Sequence, residues 1–327
     1  MQQHFRITGT GGYLPAQLIT ADELDTRLGL PRHWTLRHTG VAVRHKRAEK
    51  ENGSTMACAA AREALAAAGL SVRDLDLIVD ASACQQQPIP CNAALVQEAL
   101  GAEAAGIAAF DVHCTCLSFV VALATVNGLF ATGAHRRALI VCAETALDGV
   151  NWDDPASACL FGDGAAAVVV ERTPAPGGEL HYRYETFAEH AHVCEVPAGG
   201  HRGPPYEYSA ANDRHYRFVM DGPRLHKVAS RLLPPLVERV LDEAGLAMQE
   251  LHVVPHQASG PSVELMRRRL AIDASKYHVS LAEHGNLIAA GIPYALHRAG
   301  ASLPAGAHTM LLGTAAGYSQ AAMIFTR

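Results

Sequence analysis

The chain has 327 residues, 49% hydrophobic and 18% charged, with a formal net charge of -5 when histidine is neutral. That length accommodates two packed halves, that composition is globular rather than disordered, and the charge argues against a nucleic-acid footprint. No run approaches the roughly 20 apolar residues that span a bilayer, and the eight scattered cysteines read as free thiols, mostly buried, rather than as a disulfide framework.

Met1 to Gly12 is a polar stub leading into a Gly-rich strand end, unlike a signal peptide, so the expected location is the cytoplasm. Met56 to Ala68 is Ala-rich and helical in period. It leads into a segment that recurs. Residues 67–82 read AAGLSVRDLDLIVDAS and residues 243–258 read EAGLAMQELHVVPHQA, so that Ala68-Gly69-Leu70 returns as Ala244-Gly245-Leu246. Each copy reads as a helix closed by Gly, a short linker and an apolar strand. A weaker echo sets GAHRRALIV at 133–141 beside GAHTMLL at 306–312. Together they divide the chain into two similar halves, 1–172 and 173–327.

Residues 110–133, FDVHCTCLSFVVALATVNGLFATG, hold an apolar strand ending near Val112 and a helical pattern from Leu117. Cys116 therefore falls at a strand-to-helix turn, where the helix dipole lowers a thiol pKa and free N–H groups can hold an oxyanion. The ordinary alternative is a buried structural cysteine. Ala138 to Cys142 and Ala165 to Val170 are continuous apolar runs, as strands covered on both faces require. Pro174 to Arg217, rich in Gly, Pro, His, Tyr and Arg, fits neither half and reads as an excursion with turns. Leu225 to Ala244 is a second helix.

Three turns follow. His256 comes just past the apolar strand Val253-Val254-Pro255, at the strand end where open α/β sheets place their sites. Asn286 follows Gly285 before a helical stretch, a pattern that is also an ordinary cap. Gly313 to Tyr318 is a small-residue turn after Met310-Leu311-Leu312, either a ligand-approaching turn or simply a tight one. The register of the internal repeat carries Asp80 onto His256 and Cys116 into the helix after Asn286, so nucleophile and Asn would lie at matching helix starts. Strands alternating with helices argue for an α/β fold.

These residues resemble the β-ketoacyl-acyl-carrier-protein synthase III family. The motifs are Gly9-Thr10-Gly11-Gly12-Tyr13-Leu14-Pro15, Trp34 with Thr39-Gly40-Val41, Phe110-Asp111-Val112 ahead of Cys116, Phe161-Gly162-Asp163-Gly164-Ala165-Ala166, Val254-Pro255-His256-Gln257-Ala258, and His284-Gly285-Asn286. The resemblance implies a thiolase-like fold of two duplicated halves in five layers, α-β-α-β-α, and a homodimer. It implies an acyltransferase in which Cys116 takes an acyl group from an acyl-CoA or acyl carrier protein thioester. His256 and Asn286 then serve a decarboxylative condensation with a malonyl-type thioester, and backbone N–H groups of Cys116 and Ala316 form the oxyanion hole. Trp34, Arg37, Ile89, Phe161 and Tyr318 would contact substrate, Ile89 from across the dimer interface. No cofactor or metal is implied. His113, Cys114, Cys116, His192 and Cys194 lack the paired spacing of zinc motifs.

Several positions depart from the family pattern. His113-Cys114-Thr115 replaces small residues and Leu117-Ser118 replaces Ala-Gly. The Gly-rich C-terminal turn is thinned to Thr314-Ala315-Ala316-Gly317. Pro155, Pro261 and His38 stand where basic residues are usual, Arg37 lying beside the last. These differences point to a specialised relative with a longer or unusual acyl chain, docked to an acidic carrier by Arg267, Arg268 and Arg269 unless these form an ordinary solvated helix face. Competing readings are acyl transfer from Cys116 to an alcohol, amine or water, and a silent subunit of a heterodimer.

Overall fold

The computed structural model describes residues 1–173 and 178–327. Strand β1 (Phe5–Tyr13) is followed by an antiparallel pair, β2 (Gln17–Thr20) and β3 (Val43–Lys46), that encloses the short helices α1 (Ala21–Arg27) and α2 (Trp34–Thr39). Then come α3 (Gly53–Ala68), β4 (Leu77–Asp80), α4 (Asn92–Leu100), β5 (Ala108–Asp111), α5 (Ser118–Thr132), β6 (Arg137–Glu144), α6 (Pro155–Ala158) and β7 (Gly164–Arg172). The rest of the chain supplies β8 (His181–Thr186), β9 (Cys194–Glu195), β10 (Val219–Met220), α7 (Gly222–Ala244), β11 (His252–Pro255), α8 (Gly260–Arg269), α9 (Gly291–Ala299), β12 (His308–Ala315) and β13 (Ser319–Thr326).

Two sheets follow the same plan. The first runs β1-β7-β6-β4-β5 and the second β8-β13-β12-β11. In each, the repeated strand (β4 or β11) pairs in parallel with the next (β6 or β12), and the remaining pairs toward β1 or β8 are antiparallel. Side chains alternate between the faces, as the two-residue period of a strand demands. In β6, Ala138, Ile140 and Cys142 face one apolar cluster and Leu139, Val141 and Ala143 another. In β12 and β13, Leu311, Ala321 and Met323 face the first of these, while Met310, Leu312, Ala322 and Ile324 face a third. The shared cluster contains α5 and α9, the second contains α3 and α4, and the third contains α7 and α8. Five layers result: α3 and α4, the first sheet, α5 and α9, the second sheet, then α7 and α8.

The recurring segments adopt one local structure. Gly69 (φ 67°) and Gly245 (φ 63°) close α3 and α7 in the left-handed conformation that glycine adopts without a Cβ clash. Leu70 and Leu246 each donate back to the carbonyl five residues earlier, Leu65 and Leu241. A 3-10 turn and the strand β4 or β11 follow in both copies.

Thr115–Thr132 averages a hydropathy of 1.7 and passes for a membrane span by length and composition alone, but it carries the central helix α5, packed between the two sheets. One expectation is corrected. The excursion 174–217 contributes β8 to the second sheet, where it pairs with β13 through Ser319 to Ile324, while β9 pairs with β10 outside that sheet; residues 174–177 lie outside the described residues. The sequence hid this because β8 is a half-exposed edge strand with no continuous apolar run.

Candidate active site

The turn that carries Cys116 is held by its neighbours. Thr115 has φ 48°, a left-handed conformation that a β-branched residue adopts only when its surroundings impose it. Ser118 supplies the constraint: its hydroxyl donates to the Thr115 carbonyl at 2.7 Å and accepts from the Cys114 N–H at 2.9 Å. Cys116 thus lies in a 3-10 turn, Thr115–Leu117, that runs directly into α5. The N–H groups of Ala316 and of Cys116 itself point at its sulfur.

His256 follows β11, and its N–H donates to the Leu312 carbonyl of β12 at 2.7 Å. Buried Gln257 fixes the turn, donating to the Pro255 carbonyl and accepting from the N–H groups of Ser280 and Leu281. Gly313 must be glycine for this packing. A Cβ there would stand 2.7 Å from the Cβ of His256 and 3.3 Å from Leu117. Asn286 is held at both ends of its amide, donating to the Ala258 carbonyl at 3.2 Å and accepting from the Ile288 N–H at 2.8 Å. Ile288 has the same φ, 48°, as Thr115, so the two turns match in strain as well as in place.

The FGDGA and HGN segments are one structural device. Asn286 donates its N–H to the Leu160 carbonyl and accepts from the Gly162 N–H. A Cβ on Gly162 would come 2.1 Å from the His284 carbonyl, and one on Gly285 would come 2.9 Å from that of Leu160. Asp163 accepts from the N–H groups of Arg47 and Leu147, both at 2.9 Å. His284 is buried and fully used, pairing with the Ser280 hydroxyl and the Gly285 carbonyl, each at 2.7 Å.

Cys116, His256 and Asn286 open onto one cavity of about 1230 Å³. Burial pushes the Cys116 thiol up to about 12, Cys194 and Glu144 adding to the effect, and this outweighs the two N–H groups that favour the thiolate. Burial also takes the His256 imidazole down to about 4. Both groups are neutral at pH 7. The helix-start reading of a lowered thiol pKa is therefore reversed: desolvation in an enclosed apolar wall exceeds the dipole of one helix end.

The models for 3-oxoacyl-(acyl-carrier-protein (ACP)) synthase III and for its C-terminal part match residues 110–186 and 241–327. A β-ketoacyl-(acyl-carrier-protein) synthase III of Neisseria gonorrhoeae is 34% identical over 330 residues, spanning 98% of this chain and 99% of its own. The chain belongs to the synthase III family. The solved 3-oxoacyl-(acyl-carrier-protein) synthase III structures from Aquifex aeolicus and Pseudomonas aeruginosa are 31% and 30% identical, with TM-scores of 0.89 and 0.87. Each covers 99% of this chain, over 100% and 98% of its own length. As a member of the synthase III family the protein is an acyltransferase with the thiolase-like fold.

Within that synthase III frame, Trp34 and Phe161 line the cavity. Arg37, Ile89 and Tyr318 do not. Arg37 is exposed and spends its guanidinium on the carbonyls of His33 and Arg32. Ile89 is 84% exposed on a loop outside this cavity. Tyr318 is 1% exposed and donates to Gln320, so it is a packing residue. His38 instead lines the wall, stacked on Trp34 at 4.2 Å. The three arginines are engaged: Arg267 and Arg268 pair with Glu264, and Arg269 donates to the Ser230 carbonyl. All eight cysteines are free, and among the described residues no three metal-ligating side chains gather. Sequence reasoning missed Met220, His226 and Met266, which line the cavity from β10, α7 and α8, and weighed Cys194 of β9 only as a metal ligand. No motif marks them, because packing alone brings those elements over the nucleophile.

Proposed function

We propose that this synthase III condenses an acyl group, loaded on Cys116, with a malonyl-type thioester. The observation that carries this reading is the convergence of Cys116, His256 and Asn286 on one apolar cavity, with the Ala316 N–H directed at the sulfur. The Cys116 sulfur attacks the donor thioester and releases the CoA or pantetheine thiol. The second thioester loses CO2 while His256 and Asn286 donate to its carbonyl, where enolate charge develops. The resulting carbanion attacks the acyl-Cys116 carbonyl, whose oxyanion is held by the N–H groups of Cys116 and Ala316. Collapse gives a β-ketoacyl thioester and returns the thiol, and covalent catalysis has divided one hard step into two. Asn286 supports condensation over transfer to an alcohol or amine, because a neutral amide donor suits an enolate oxygen.

The reading includes donors carried by CoA or by an acyl carrier protein. Arg267, Arg268 and Arg269 outnumber Glu264 and would meet an acidic carrier with net positive charge. It also includes a homodimer in which exposed Ile89 enters the partner's acyl site. Intact-protein mass spectrometry with a panel of acyl donors tests it: the protein gains the acyl mass, Cys116→Ala does not, and malonyl thioester then yields a β-keto product and CO2. Acylation followed only by ester, amide or free acid would sink the condensation.

A further inference from the structure

The Ala316 N–H belongs to a strained turn that is braced from outside the cavity. Ala315 pairs with Ser319, so β12 and β13 are joined by the three residues Ala316-Gly317-Tyr318. The Ala316 N–H points at the Cys116 sulfur and the Gly317 N–H at that of Cys194. The Thr115 hydroxyl lies 3.5 Å from the Ala316 carbonyl, so this turn abuts the one that bears the nucleophile. Gly317 has φ 78° and Tyr318 φ 27°. Glycine takes a positive φ freely, but an aromatic residue takes it only where its surroundings over-determine it.

Tyr318 has such surroundings. Its carbonyl accepts from the Phe187 N–H at 3.0 Å, and its ring lies 6.0 Å from the rings of both Phe187 and His190. Its hydroxyl donates to the side-chain carbonyl of Gln320 at 3.2 Å. Gln320 is fully buried, and both ends of its amide are used. Its Nε2 donates to Glu185 of β8 at 3.0 Å and to the Leu232 carbonyl of α7 at 3.1 Å. Glu185 lies opposite Gln320 in the sheet and pairs in turn with Arg239 of α7. A buried amide engaged in this way keeps one orientation, because breaking any of its bonds leaves a desolvated polar group unpaired. Tyr318, Gln320, Glu185 and Arg239 are all absent from the cavity lining, so any effect they have on the reaction passes through the turn.

We propose that Gln320, anchored on Glu185 and on the Leu232 carbonyl, is a positioning residue: through the Tyr318 hydroxyl it sets the turn that aims the Ala316 N–H at Cys116. The inference rests on the reading of that N–H as a donor to the oxyanion of acyl-Cys116. Losing an oxyanion donor outright costs about a hundredfold or more, and loosening one costs part of that.

Three variants test it: Tyr318→Phe, which removes only the hydroxyl, Gln320→Leu, and the two combined. Acylation of Cys116 by acyl-CoA is followed by intact mass and resolved into a maximal rate and a KM. Alkylation of Cys116 by iodoacetamide is followed by peptide mass at about pH 8; it needs no acyl donor and reports the thiolate. The expected result is a maximal acylation rate lower by about tenfold with KM within about twofold, the pattern of a lost transition-state interaction. Alkylation should slow by about threefold, the effect of raising a thiol pKa by about half a unit. The double variant should be no worse than the poorer single one, because the two side chains act as a unit. A change in KM alone would make Tyr318 a substrate contact, and unchanged acylation and alkylation in folded variants would leave the network purely structural. Losses that multiply in the double variant would separate Tyr318 from Gln320. Each of these overturns the inference. If Gln320→Leu does not fold, Tyr318→Phe decides alone. Wild type that takes up no acyl group would count against the proposed function instead, and alkylation would still decide the positioning.

Discussion

Cys116 and His256 oppose each other as titrating groups. A thiol near 12 is almost wholly protonated at pH 7, and the thiolate is the nucleophile. Loading of Cys116 should therefore accelerate as the pH rises, by up to about tenfold per unit between pH 7 and 9 where thiolate attack limits. Stopped reactions followed by intact mass check this, and a flat profile would mean that substrate binding or His256 supplies the base before release of the thiol. His256, near 4, is neutral from about pH 5 upward and donates through a ring N–H without taking up a proton. Decarboxylation of the malonyl-type thioester by Cys116→Ala should accordingly hold constant above pH 5 and change only as the pH falls toward 4. A step near pH 6.5 would show that bound substrate restores an ordinary imidazole.

The strands and turns set the site through backbone contacts that admit no side chain. β11 and β12 run in parallel, and Gly313 on β12 lies against His256 beyond β11. Gly313 lies outside the left-handed region, so alanine fits the backbone conformation but its Cβ would stand 2.7 Å from that of His256. Gly313→Ala should move the imidazole by a few tenths of an ångström or more. Condensation should then fall by about a hundredfold, the scale seen for small misplacements of catalytic groups. Acylation of Cys116 should fall far less, because Thr115 and Ser118 hold that turn independently. Equal losses in both half-reactions would place Gly313 in overall packing rather than in positioning His256. Gly162 is packed in the same way, and Gly285 adds a left-handed φ of 76°; a Cβ on either would separate the segment leading into β7 from the Asn286 turn.

At the scale of the molecule, burial of a histidine and of two carboxyl groups imposes pH costs of opposite sign. His284 is held near 4 in the fold by burial, against 6.5 when unfolded, so the stability it contributes is present above pH 6.5 and lost as pH falls toward 4. Asp80 and Glu144, pushed up to about 7 by burial, run the other way: their contribution is full below about pH 4 and lost as the pH climbs to 7. His284→Gln, which keeps one donor and one acceptor, removes one side of the balance. The stability gained between pH 4 and pH 6.5 should be lower in the variant by up to about 3 kcal/mol, read from denaturant midpoints at the two pH values. No difference between the two profiles would mean that His284 titrates normally in the fold. Much of the architecture was legible beforehand. Apolar runs of strand length, Gly-closed helices and a repeated segment are local patterns with local causes, and they determined the two-sheet plan and the turns bearing Cys116, His256 and Asn286. Arg37 and Tyr318 do not line this cavity, because sequence position does not say which way a side chain turns. The thiol's raised pKa, the edge strand β8, and the cavity walls that α7 and α8 supply were decided only by tertiary packing. Desolvation and enclosed volume depend on which distant residues surround a group, and no local pattern encodes that.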